Sequence, residues 1–433
     1  IAVDAYAYAV GIVAGAGYGD AYVANSGDFI ITAVGPAIGI QADAEFDADV
    51  FNLGDISVYS EQSYAGGILS ESDAGDAYVA SQGNITATGA TYAGGILASA
   101  DYGTATVFNS GIISVSALQD SFGIQAEAKY DAFVANSGSI TTTSEYGSST
   151  GIDANSYLGD VTVYNSGDFV VSAGVEATGI YTYSRYGDIA ISNSGDLLVT
   201  GVNEATGIYA GTGEFDSDIS ISNSLNTIVA SASTTGTANG IYAYSDGSGD
   251  IGITSSGVIT ATGGSAYGIY AATDNDNSYY SAYTVYYAGG NIGITLGATS
   301  NITATATDLG SYGEYSAYSG GNAYGVYARV EEAYGNISIS NAGRISATAN
   351  GLYATAAGIH AYDQDDGTVS ITTASTSVIS ATANGYYGNA YGIYANAAYG
   401  NVVISNAGSV TAGSTDTSGF SVGILSDSYY GTT

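Results

Sequence analysis

The side chains in this sequence that could do chemistry are carboxylates, phenols and one imidazole. Asp20, Asp76, Asp160, Asp188 and Asp250 follow one class of turn, and Asp28, Asp55, Asp168 and Asp196 follow another. Asp160 and Asp188 are 28 residues apart. If 28 residues make one structural turn, their backbones lie ~4.8 Å apart. Like charges so close either raise each other's pKa or hold a cation. Bridging calcium is therefore one role for these columns, and turn-forming Asp exposed to water is the other. Magnesium fits less well because it demands tighter octahedral geometry. The columns are gapped by Thr104 and Asn336, and no one metal site is singled out.

Catalysis has little to build on. The basic residues are Lys129, Arg185, Arg329 and Arg344, four against 40 acidic residues, for a formal charge of −36. They fall in different repeats, whereas elimination from a uronate needs a strong base beside clustered carboxylates. A hydrolase needs only two carboxylates at a set separation, and so many are present that no pair stands out. The sole histidine, His360, lies in "GIHAYD", in the same column as Tyr181, Tyr209, Tyr242, Tyr270, Tyr327 and Tyr394. It reads as a member of a surface ladder. No catalytic or cofactor-binding residue is assigned.

The charge also bounds the partners. Phosphate binding needs clustered Lys and Arg, so nucleic acid is excluded as a partner. Docking on an anionic membrane surface is disfavoured for the same reason, and no 18-residue apolar run is present to insert. With 63 Gly and 41 Tyr but one Pro and no Cys, Met or Trp, the 433-residue composition is far from a globular average. Its 45% hydrophobic content sets it apart from a disordered polar tract.

A repeat must position all these residues. A Gly followed by a branched aliphatic residue falls at 11, 39, 67, 95, 123, 151, 179 and 207, every step being 28. It continues at 240, 268, 325, 358, 392 and 423. A spacing held through seven steps is the mark of a solenoid. Each period divides into three runs that alternate at two residues, as in "GIYAYS", "DIAISNSG" and "VITATG", separated by Gly, Asn, Asp and Ser. The expected fold is all-β: a right-handed parallel β-helix, with three short strands per ~28-residue coil and about 14 coils. It is read as a single solenoid domain over 1–433, roughly 60 Å long at ~4.8 Å per coil.

Three columns follow from the register. The residue after each Gly anchor is Ile or Val and should form the core. Asn25, Asn52, Asn109, Asn136, Asn165, Asn193, Asn223, Asn341 and Asn406 sit beside the second turn, where stacked amides can bond coil to coil. Tyr18, Phe46, Ala74, Tyr102, Tyr130, Leu158 and Tyr186 follow the anchors by seven residues. Outward Tyr columns offer flat amphipathic area for sugar rings or for a neighbouring rod, or are a β-favouring surface choice. Extra residues in the interval from Gly268 to Gly325 lie in 273–290 and 307–324, expected as loops inserted on one face. Outward Thr at 86–88, 141–143 and 260–262 is similar to an ice-binding face, but Ile30, Val170 and Leu198 interrupt it. The sequons at Asn84, Asn301 and Asn336 carry weight only in a eukaryotic secretory setting.

At "SISNSGDLLVTG…ATGIYA" the chain resembles the passenger repeats of bacterial autotransporters and filamentous-haemagglutinin-type adhesins. That resemblance implies a secreted or cell-surface β-helix acting in adhesion or matrix structure. The expected function is thus an extracellular structural solenoid, adhesin-like or the subunit of a surface filament. The alternative is a glycan- or surface-binding adhesin module using the Tyr face and the inserted loops. A polysaccharide-active enzyme is the lesser third. The sequence starts and stops part-way through a coil, so open strand edges suggest head-to-tail self-association, with Ile424 over the column that begins at Ile12.

Overall fold

The computed structural model describes residues 1–213, 216–274, 290–307, 321–331, 335–415 and 418–433. The stretches expected as inserted loops, 273–290 and 307–324, lie outside the described residues except at their margins. The described residues are all-β, with no helix, and form a parallel β-solenoid of about 14 turns of the right-handed type.

One coil illustrates the build. Ala93–Ala100 belongs to what we call the Gly-Ile sheet, Ala105–Asn109 to the Asn sheet and Ile113–Ala117 to the Thr sheet. Each strand pairs in parallel with its equivalents one coil before and one coil after: Ile96 lies beside Ile68 and Ile124, Val107 beside Val79 and Val134, and Ile113 beside Ile85 and Ile140. The chain sorts into two compact units, residues 1–201 and 202–433. Among the described residues, the first unit holds seven Gly-Ile, seven Asn and eight Thr strands, and the second holds seven, six and six.

Alternation puts small and branched residues inside. Ile, Val and Ala of all three sheets meet in the interior, while Thr, Ser and Tyr between them face out. The residue after the Gly anchor is fully buried in twelve of fourteen coils, Ile40 to Ile180 in one unit and Ile208 to Ile393 in the other. Ile12 is half-buried and Ile424 is 40% exposed. Each buried Ile contributes ~1.5–3 kcal/mol relative to exposure.

The anchor glycine itself has a steric cause. At Gly95 the strict alternation breaks, since Gly95 and Ile96 are both buried. A Cβ on Gly95 would meet the Gly123 carbonyl oxygen at 2.4 Å and Ile113 Cγ2 at 2.5 Å. The Gly-Ile strand can therefore lie against the next coil and the Thr sheet only without a side chain there. That contact is why the 28-residue ruler is a glycine.

Candidate binding surfaces

The Asp columns are acceptors of backbone hydrogen bonds. Asp188 N–H donates to Asp160 Oδ1 at 2.9 Å, and Asp160 N–H to Asp131 Oδ1 at 2.9 Å. Thr104 N–H donates to Asp76 Oδ1 at 2.8 Å, Asp76 N–H to Asp47 Oδ1 at 3.0 Å, and Asp47 N–H to Asp20 Oδ1 at 3.3 Å. In the second unit Asp250 N–H donates to Asp218 Oδ1 at 2.7 Å and Asn291 N–H to Asp250 Oδ1 at 2.7 Å. The other turn repeats the device through Asp28, Asp55 and Asn84, and through Asp168 and Asp196. Asn replaces Asp freely because an amide oxygen accepts the same N–H: Asn336 receives Thr368 at 2.9 Å, and Asn401 receives Thr432 at 3.0 Å. Each side chain thus pairs a corner amide that neither strand ladder reaches. Asp47, Asp131 and Asp218 escaped the sequence columns because coil length shifts locally, to 27 residues from Asp20 to Asp47 and 29 from Asp47 to Asp76. Among the described residues no group of three or more acidic or imidazole side chains is arranged to hold a metal ion.

The Asn column runs inside the wall. Asn136 Nδ2 donates to its own turn, at Gly138 O (2.7 Å), and to Asn165 Oδ1 of the next coil (2.9 Å). Asn165 repeats this with Gly167 O (2.8 Å) and Asn193 Oδ1 (2.8 Å). All of these amides are buried, which makes each bond an obligation. Ser81 interrupts the row, and Asn109 Oδ1 is left buried without a partner.

Two aromatic rows face outward, and they differ. In the second unit Tyr209, Tyr242, Tyr270, Tyr327, His360 and Tyr394 form the expected ladder. Tyr242 stacks on Tyr209 (5.3 Å between centroids, 5°) and on Tyr270 (4.5 Å, 1°), so ring faces are used by neighbouring rings. Tyr267 and Tyr324 form a second file that meets the first edge-on. Burial among these rings pushes the phenols of Tyr267 and Tyr270 up to about 12. His360 is half-buried, stacked on Tyr394 at 4.7 Å, with Nδ1 unpartnered, and burial lowers its pKa to about 4.

The first unit carries a row that sequence reading missed. On the Asn sheet, Tyr22, Phe51, Tyr78, Phe108, Phe133 and Tyr164 run coil to coil with centroids 5.3–5.8 Å apart and planes tilted by 38–56°. They zigzag between two columns: Phe108 stands between Ala80 and Ala135, while Phe133 stands between Thr106 and Thr162. Each column holds an aromatic only every second coil, so a period of 28 cannot reveal them, although a period near 56 does. Tilting leaves part of each ring open, Phe108 being 41% and Tyr164 53% exposed. A shallow groove of about 440 Å³ runs beside one column of this row, lined by Phe108, Ala135 and Tyr164 and edged by Gln82, Ser110 and Ser166, with Tyr78 and Phe133 of the other column outside its lining.

The basic residues are dispersed as expected. Lys129 Nζ sits 3.8 Å from the centre of the Tyr102 ring, and Arg185 lies over Tyr157 and Tyr186. Arg329 pairs with Glu331, and Arg344 is exposed. Four carboxyls have raised pKa values, Asp49 and Glu71 chiefly by burial with neighbouring carboxylates adding to the rise. Asp153 rises to about 6 by burial and by Glu127, against the Asn155 amide that lowers it. Asp363 rises to about 7, chiefly by burial. Compared with family models, curated proteins and solved structures, the chain matches none.

Proposed function

We propose that the protein is an extracellular structural β-solenoid, adhesin-like or the subunit of a bacterial surface filament, with no catalytic role. What supports this is the use to which its polar side chains are put. Corner Asp and Asn residues and the buried Asn row bond coil to coil, and Lys129 and Arg185 lie on Tyr rings of the turns. These groups stiffen a wall. Head-to-tail association extends the same logic, since each coil presents the pairing pattern of the next. Negative-stain microscopy of native material, with sedimentation of the purified chain, tests it. Filaments or concentration-dependent growth are expected; a monomer at high concentration that builds no filaments overturns the assembly.

A second reading is favoured by one observation. The open aromatic zigzag of the first unit suits a surface-binding module, in which the solenoid presents that row to a glycan or host surface.

A further inference from the structure

We infer that the zigzag row on the Asn sheet of the first unit binds an extended, neutral, β-1,4-linked polysaccharide lying along the coil axis. This rests on the surface-binding reading and gives it a site and a ligand class. Three observations carry it.

The first is charge. The chain carries −36, and Asp49 stands in the row between Tyr22 and Tyr78, yet from Tyr78 to Tyr164 no acidic or basic residue stands in the row or lines the groove along Phe108 and Tyr164. A polyanion would meet the repulsion of the surrounding carboxylates, and a polycation would find no counter-charge in the groove. A neutral ligand meets neither obstacle.

The second is geometry. The ring centroids of Tyr78, Phe108, Phe133 and Tyr164 are 5.4–5.8 Å apart, which combines a rise of ~4.8 Å per coil with the sideways step of the zigzag, and the rings alternate sides every coil. An extended β-1,4-linked chain advances by a similar rise per sugar and turns its ring over at each one. Ligand and row thus share a one-unit rise and a two-unit repeat. Because the rings are tilted by 46–56°, partly open faces remain for the C–H surfaces of sugars, unlike the 1–5° stack at Tyr242.

The third is the rim. Gln82, Ser110 and Ser166 edge the groove, and among the described residues no hydrogen bond uses their side chains. Sugar hydroxyls need such donors and acceptors beside the apolar floor.

The test is calorimetric titration of the full chain with cellohexaose and chitohexaose, beside curved maltohexaose and anionic polygalacturonate. Phe108→Ala/Tyr164→Ala is the test variant, and the exposed Tyr146→Ala is the control. The expected result is binding of at least one extended neutral probe, with affinity cut about tenfold or more by the double variant and unchanged in the control. Melting temperatures of the three proteins should agree, since all three rings face outward. No binding of either extended probe at millimolar concentration overturns the proposal, as does equal binding by the double variant or preference for the curved or anionic probe. Sedimentation that shows lateral dimers lost in the double variant, without sugar binding, assigns the row to a second copy and also overturns it. Filament formation is read separately by microscopy, so failure here leaves the structural reading standing.

Discussion

Asp363 and Ser428 hold the same place at the end of the Gly-Ile strand, two coils apart, and they close their turns differently. Ser428 Oγ accepts Gly431 N–H and donates to the Gly400 carbonyl of the preceding coil, both at 2.8 Å. Asp363 accepts Asp365 N–H at 2.9 Å, while its Oδ2 is buried without a partner. Oδ2 lies near the Gly335 carbonyl oxygen, since a Cβ on Gly367 would meet these two atoms at 2.2 and 1.7 Å. An ionised carboxyl has no proton to give that carbonyl; a protonated one does.

Stability should therefore depend on Asp363 protonation. Its folded pKa is raised from 3.8 to about 7 by burial, with Asp365 and Asp366 adding to the rise. Folding favours the protonated form, so this stabilisation is fully present below the unfolded pKa and is lost as pH rises from about 4 through about 7. Asp363→Ser restores the Ser428 arrangement. Its melting temperature should exceed that of the natural chain at pH 8, with the gap shrinking toward pH 4. A gap independent of pH would refute the assignment.

His360 should act in the opposite sense. Burial among Tyr324, Tyr327 and Tyr394 lowers its pKa from 6.5 to about 4. Its contribution is present above the unfolded pKa and is lost as pH falls from 6.5 through about 4. His360→Tyr completes the ladder and should abolish that acid-side loss. Thermal melts of both chains between pH 4 and pH 7 decide the matter.

The corner acceptors predict tolerance of one change and not another. Asp160→Asn should leave the melting temperature nearly unchanged, because Asn291 and Asn336 do the same work elsewhere. Asp160→Ala leaves Asp188 N–H without its acceptor and should cost about 1 kcal/mol. If calcium instead bridges this column, chelation should lower the melting temperature and calcium should restore it. Acceptors already serving backbone N–H groups lead us to expect no shift.

In the interior, Ile180→Asp should prevent folding of the first unit. Ile180 is fully buried beside Ile152, and an unpaired charge there costs several kcal/mol or more. Asn136→Ala removes three buried bonds, two donated by Asn136 Nδ2 and one accepted from Asn109 Nδ2, for a loss of ~1–3 kcal/mol. Denaturant unfolding followed by circular dichroism measures both.

The sequence by itself determined the solenoid, its three strands per coil and the buried Ile column. Those features repeat at one period because every coil must satisfy the same steric contact, as at Gly95 against Gly123 and Ile113. It also placed His360 in a Tyr ladder and Asn136 in an amide row, since parallel in-register strands turn equal sequence positions into neighbours. Only the tertiary structure decided what the columns do. That Asp160 and Asn336 serve one purpose depends on which backbone amide lies across the corner. That the Tyr242 stack hides its ring faces while the Phe108 row opens them depends on tilt. The zigzag itself joins residues of two columns, so it exists only once adjacent coils are laid side by side.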